Sequence, residues 1–375
     1  MIDPTQPRFK DAKRIVVKIG SALVVDNATA APRAAWLASV AADIAALRTR
    51  GVEVVVVSSG AIALARKALG LTRRRLRLEE KQAAAAVGQI RLAGAWQEAL
   101  AAHGLKAAQL LLTLEDSEDR RRYLNARATL ATLINLGCVP VINENDSVAT
   151  AEIRFGDNDR LAARIAQAAS AQAVVLLSDV DGLYTADPTK TADAERIPEV
   201  RRIDARIRGM AQTDSSSGMG SGGMASKIEA ARITNAAGAA LIIVSGLHDH
   251  PLKRLAAGGC GTVFTGSSSG TARKAWLAGR LTVKGRIYVD AGAARALVSG
   301  ASLLPAGAAR VEGRFVRGDV VDIVAADGQP FARGLAEYDA EDASRICGKR
   351  TDVLADVLGY APRAALVHRD HLVML

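Results

Sequence analysis

The strongest constraint on the fold is a short, continuously apolar run that recurs along the first 250 residues, bounded each time by Gly, Ser, Asn or Asp. Such runs fall at residues 14–19, 53–57, 139–142, 173–177 and 241–244, and all are rich in Val, Ile or Leu. Between them lie alanine-rich stretches with helical patterning at 32–50, 79–102, 158–169 and 224–237. A strand that is apolar on both faces has no solvent side, so it requires a covering layer above and below. Strands alternating with helices supply both layers, which predicts an α/β fold: a three-layer αβα sandwich around a mainly parallel sheet. In such sheets ligands bind beyond the carboxyl ends of the strands. The polar clusters of this chain fall there.

The texture changes after Gly266-Ser267-Ser268-Ser269-Gly270. Short strands at 285–289, 309–311, 320–324 and 331–337, with Gly-rich turns and one helix near 291–299, predict a small, separately folded β-rich domain. The expected organisation is an α/β domain over 1–267, a linker over 268–284, the β-rich domain over 285–363 and a tail over 364–375.

Composition excludes several classes. At 375 residues, 49% hydrophobic and 23% charged, the chain has ample material for a core and reads as a globular protein. Aromatic content of 3% argues against a base-stacking, single-strand-binding surface. The net charge of +10 is spread out: residues 270–375 hold 15 Lys+Arg and 12 Asp+Glu, or +3, leaving +7 for the rest. No apolar run reaches membrane-spanning length and the start lacks the apolar core of a secretion signal, so no membrane and a cytoplasmic location are expected. Cys138, Cys260 and Cys347 are widely separated and outside any CxxC spacing, which suggests neither a disulfide framework nor a protein metal site.

Each polar cluster has a plain and a functional reading. Lys18, inside the first apolar run, either reaches water from an edge strand or meets an anion. Ser58-Ser59-Gly60 either caps a helix or offers a hydroxyl and N–H groups to a carboxylate or phosphate. Asn143-Glu144-Asn145-Asp146 and Asp157-Asn158-Asp159 exceed what capping requires, and together suit a substrate ammonium or the orientation of lysines. Ser178-Asp179-Val180-Asp181-Gly182-Leu183-Tyr184 lines a nucleotide or closes a hairpin. The small-residue stretch 215–226 runs into a helix and puts Lys227 in its first turn, a poor place for a cation unless an anion is near. It is either a phosphate cradle or a surface loop with a solvated lysine. Gly218, Gly220 and Gly223 match GxGxxG by spacing, but no strand precedes them, so the dinucleotide reading fails on context.

Taken in order, Val16-Val17-Lys18-Ile19-Gly20-Ser21, Ser58-Ser59-Gly60-Ala61-Ile62, the two acidic clusters, the Ser178–Tyr184 segment and Gly220-Ser221-Gly222-Gly223-Met224 with Lys227 resemble the amino acid kinase family. The resemblance is greatest to its glutamate-phosphorylating branch, and residues 285–363 resemble a PUA domain, an RNA-binding type of module, which implies a small β-rich barrel there. This implies ATP-dependent phosphorylation of the γ-carboxylate of L-glutamate, the first step of proline synthesis, with Mg²⁺ accompanying ATP. By the same resemblance Lys18 and Lys227 stabilise the transferring phosphoryl group and Asp159 orients them. Ser59, Asp146, Asn158 and Asp157 hold glutamate. Ser178, Asp179, Ser221, Gly222, Gly223, Met224, Ala225, Ser226 and Lys227 contact the nucleotide, as does Lys18. Feedback inhibition by proline, a homodimer or homotetramer, and handover of the acyl phosphate to glutamyl phosphate reductase are further expectations. A kinase for another carboxylate or for carbamate, and an RNA-binding protein in which the kinase fold is secondary, are the alternatives.

Overall fold

In the computed structural model the described residues are 5–26, 28–71, 73, 76–113, 115–116, 119–148, 157–210, 223–265 and 283–375. The chain divides into two compact units, Met1–Ser268 and Ser269–Leu375.

Along the first unit the helices are α1 (Thr5–Lys10), α2 (Ser21–Val24), α3 (Ala34–Thr49), α4 (Ala61–Arg66), α5 (Leu78–Ala101), α6 (Arg120–Asn135), α7 (Asp157–Ala169), α8 (Ala205–Met210), α9 (Met224–Ala236) and α10 (Pro251–Ala256). The strands are β1 (Arg14–Ile19), β2 (Glu53–Ser58), β3 (Ala107–Leu112), β4 (Val139–Glu144), β5 (Ala173–Ser178), β6 (Leu183–Tyr184), β7 (Arg196–Ile197), β8 (Glu199–Val200), β9 (Ala240–Ser245) and β10 (Gly261–Phe264). Eight of them form one sheet in the order β3-β4-β2-β1-β5-β9-β10-β8. Every pairing is parallel except that of β10 with β9. The sequence missed β3, where only Leu110 is buried and Gln109 interrupts the apolar run. It also missed α6, where three consecutive arginines mask the helical period.

Period-two alternation divides each central strand between two cores. Ile15, Val17 and Ile19 of β1 join Val54 and Val56 of β2 on one face, under Trp36, Leu37 and Ile44 of α3 and Leu92 and Trp96 of α5. Val16 joins Val55, Val57 and Leu176 on the other, under Leu161, Ala162 and Ile165 of α7 and Ile228 and Ala231 of α9. The result is the three-layer αβα architecture with a mainly parallel sheet. None of the described helices is long and apolar enough to cross a membrane.

The second unit holds a separate five-stranded sheet. Its strands are β11 (Val283–Val289), β12 (Ala308–Gly313), β13 (Val320–Val324), β14 (Pro330–Leu335) and β15 (Leu372–Met374), in the order β12-β11-β13-β14-β15. Residues 364–375, expected as a tail, are part of this unit instead: β15 pairs antiparallel with β14, and Val367 is fully buried and bridges Leu303. A three-residue strand is too short to register as a periodic signal, and pairing supplies what periodicity lacks. Most of the expected linker, and the loop 211–222, lie outside the described residues.

Candidate active site

Lys18 is not an edge residue. β1 is hydrogen-bonded on both sides, to β2 and β5, and Lys18 pairs across to Val57 and Leu176. It shares the side of β1 that carries Val16, so its side chain enters the layer covered by α7 and α9 and is 8% exposed. A lone ammonium there would carry a heavy desolvation cost. Asp159, in the first turn of α7 and fully buried, removes it: Lys18 Nζ lies 2.5 Å from Oδ1. Lys227, in the first turn of α9 and 6% exposed, donates to the other carboxylate oxygen at 3.3 Å. The solvated-lysine reading of Lys227 is thereby overturned.

Burial pushes the Asp159 carboxyl up, but the charges of Lys18 and Lys227 and their hydrogen bonds outweigh it and hold the group below the usual carboxylate range. Burial, with Lys18 adding to it, lowers Lys227 below the ordinary lysine value, against the opposing pull of Asp159. Two ammonium groups around one carboxylate leave one unit of positive charge in excess. That excess, at the carboxyl end of β1 and at the amino ends of two helices, suits an anion.

A second polar group extends from the end of β2. Gly60 follows Ser59 with φ of 122° and starts α4; a Cβ there would lie 3.1 Å from Val25 Cγ2, so both conformation and space favour glycine. Ser58 and Ser59 separate by alternation. Ser58 points with Val54 and Val56 and accepts from Trp96 Nε1 at 2.9 Å, a purely internal contact. Ser59 Oγ accepts from Asn158 Nδ2 at 2.6 Å. Asn158 Nδ2 also reaches Asn143 Oδ1 at 3.3 Å, and Asn143 Nδ2 donates to Gln89 Oε1 at 2.8 Å. Asn158 Oδ1 is shielded from solvent and has no hydrogen-bond partner among the described residues.

Gln89 carried no role in the sequence, and Asn143 was named only as part of its polar cluster. Asn143, a polar residue near the end of an apolar strand, was a usable signal. Gln89 lies mid-helix in α5 and had none.

The remaining expected residues are distributed as follows. Asp146 is half-buried in the turn after β4. Ser178 ends β5, is nearly buried, and donates to Asp179 Oδ1 at 2.9 Å. Asp179 is exposed, and its charge reaches Lys227. Gly223 caps α9 and Ala225 is exposed, while Ser226 N donates to Gly223 O. The Met224 side chain packs in the core with Ile228, so only its backbone is left for a nucleotide. Ser221 and Gly222 lie outside the described residues, and Asp157 is described only as part of the α7 backbone.

The first unit is thus a mainly parallel αβα sandwich with a buried lysine–aspartate–lysine group at the strand ends, suited to an anion. Residues 13–245 match the model of the amino acid kinase family, and residues 285–358 match that of the PUA domain. The chain belongs to the amino acid kinase family. Its relatives include proteins named glutamate 5-kinase. The one from Zymomonas mobilis is 56% identical over 98% of this chain and 93% of its own length. That from Sphingopyxis alaskensis is 59% identical over 96% and 97%, and that from Gluconobacter oxydans 57% over 98% and 97%.

Proposed function

We propose that this chain is a glutamate 5-kinase, transferring the γ-phosphoryl group of ATP to the γ-carboxylate of L-glutamate. The observation that carries this reading is the buried Lys18–Asp159–Lys227 group with its unit of excess positive charge. The nearly full-length similarity to proteins of that name supports the choice of substrate.

The chemistry suits the residues. A γ-carboxylate with a reference pKa of about 4.3 is already ionised at neutral pH, so no general base is needed. One carboxylate oxygen bonds to the γ-phosphorus as the bond to the bridging oxygen of ADP breaks, giving L-glutamyl 5-phosphate. What the protein supplies is alignment and positive charge. Lys18 and Lys227 face the phosphoryl oxygens, and Asp159 holds the two ammonium groups close together despite their repulsion. Ser59, Asn158, Asp146 and Asp157 hold glutamate, while Ser178, Asp179 and the 221–226 segment hold the nucleotide. Mg²⁺ fits as part of the co-substrate, because both Asp159 oxygens are engaged by lysines and the ion characteristically binds through nucleotide phosphates and water. It would neutralise phosphate charge.

A cytoplasmic location, inhibition by proline, a homo-oligomer and handover of the labile acyl phosphate to a reductase complete this reading. The test is ATP consumption with glutamate, aspartate, acetylglutamate or carbamate, with hydroxylamine trapping any acyl phosphate. Glutamate-dependent hydroxamate is the expected result, and turnover only with another acceptor rejects the assignment. The PUA match favours a second, separable reading for residues 285–358, an RNA contact. Steeply salt-dependent RNA binding by the full chain would support it.

A further inference from the structure

We propose that Gln89 is a positioning residue that sets the donor and acceptor polarity of the Gln89–Asn143–Asn158–Ser59 chain and so aims the Asn158 carbonyl at the α-ammonium of the substrate. This rests on the glutamate reading above and deepens it.

A carboxamide presents an acceptor oxygen on one side and a two-proton donor on the other, in nearly the same shape. Which side faces a ligand is therefore decided by its neighbours. Asn143 gives its amino group to Gln89 Oε1 at 2.8 Å, which turns Asn143 Oδ1 toward Asn158. Asn158 then spends its amino group on Asn143 Oδ1 and Ser59 Oγ. Asn158 Oδ1 remains, shielded from solvent and without a partner among the described residues. A buried acceptor left unpaired is costly, and a donor from a ligand removes that cost. Because Ser59 Oγ accepts from Asn158, its own proton is directed away from the amide, toward an acceptor. An acceptor beside a donor matches the ammonium and carboxylate that an amino acid carries on one carbon.

Gln89 is held in register by backbone contact. A Cβ on the preceding Gly88 would lie 1.7 Å from the Ala61 carbonyl oxygen, so α5 touches the first residue of α4, just after Ser59-Gly60. The contact that brings Gln89 to Asn143 thus also supports the loop carrying Ser59.

The experiment compares wild type with Gln89→Leu, Gln89→Met and Gln89→Glu, measuring kcat, KM for glutamate and ATP, and the inhibition constant of glutarate, which lacks the α-ammonium. Expected for Gln89→Leu and Gln89→Met is a rise of about tenfold in the glutamate KM, the size of one lost hydrogen bond to a charged group. Their kcat, ATP KM and glutarate inhibition should stay near wild type. Gln89→Glu keeps an acceptor for Asn143 and should restore the glutamate KM. An unchanged glutamate KM in both apolar variants, a parallel weakening of glutarate, or no rescue by Gln89→Glu would overturn the proposal. Should Gln89→Leu fail to fold, the better-matched Met and Glu variants decide it. Wild type inactive on glutamate rejects the function itself, whereas active wild type with indifferent variants rejects only the role of Gln89.

Discussion

The two faces of the eight-stranded sheet each bury an aspartate, and they use it in opposite ways. On the α3 side, Asp43 is 4% exposed and takes its partners from one place, the start of α10: Leu252 N at 2.9 Å, Lys253 N at 3.0 Å and His250 Nδ1 at 2.9 Å. Two of these are backbone amides of a helix amino end, which the carboxylate satisfies as a cap from another element. On the α7 side, Asp159 takes its partners from two distant segments, and both are lysine side chains. The first carboxylate spends both its oxygens on the start of one helix. The second gathers more positive charge than it cancels. The difference separates an acid that anchors an element from one that prepares a site for an anion.

The sharpest way to break the comparison is to neutralise each acid. Asp159→Asn leaves two buried ammonium groups side by side, and stability should fall by about 3–5 kcal/mol in denaturant unfolding, together with activity. A loss under 1 kcal/mol would mean the lysines reach solvent without it. Next, Lys227→Ala should lower kcat by about 10²–10³-fold, the usual size for one preorganised charge donor, with the fold intact by circular dichroism. Near-normal turnover would remove Lys227 from the chemistry. Asp43→Ala should cost about 2–3 kcal/mol of stability, from charge-assisted bonds to two amides, while kcat stays close to wild type. A large fall in kcat with little change in stability would erase the distinction between the two faces.

The smallest effect is in the pH dependence. Asp159 titrates below its ordinary range when folded, so its stabilising contribution is fully present above about pH 4 and lost as pH falls through the depressed value. The stability gap between wild type and Asp159→Asn should therefore narrow on acidification. A gap independent of pH down to acid unfolding would contradict the direction of that shift.

Much of the sandwich was legible because burial on both faces leaves a local trace. The apolar runs at 14–19 and 173–177 coincide almost residue for residue with strands, since every apolar side chain in them enters one core or the other. β3 left no such trace, being an edge strand with half-exposed residues. In the site, Lys18 and Lys227 stood out because charge conflicts with its surroundings, a lysine in an apolar strand and a lysine at a helix start, whereas Asp159 took its role from the family resemblance. Residue pattern alone did not separate Ser58 from Ser59, and only the resemblance singled out Ser59; in the structure Ser58 meets Trp96 and Ser59 meets Asn158.

By itself, then, the sequence determined the layers and marked Lys18 and Lys227 as misplaced charges, because patterning and misplaced charge are local properties. Only the tertiary structure decided that Asp159 stands between two lysines 209 positions apart, a separation counted from Lys18 to Lys227, and that Gln89 faces Asn143. Those contacts depend on strand order and on the close approach of α5 to α4. No periodicity along the chain encodes which distant elements become neighbours.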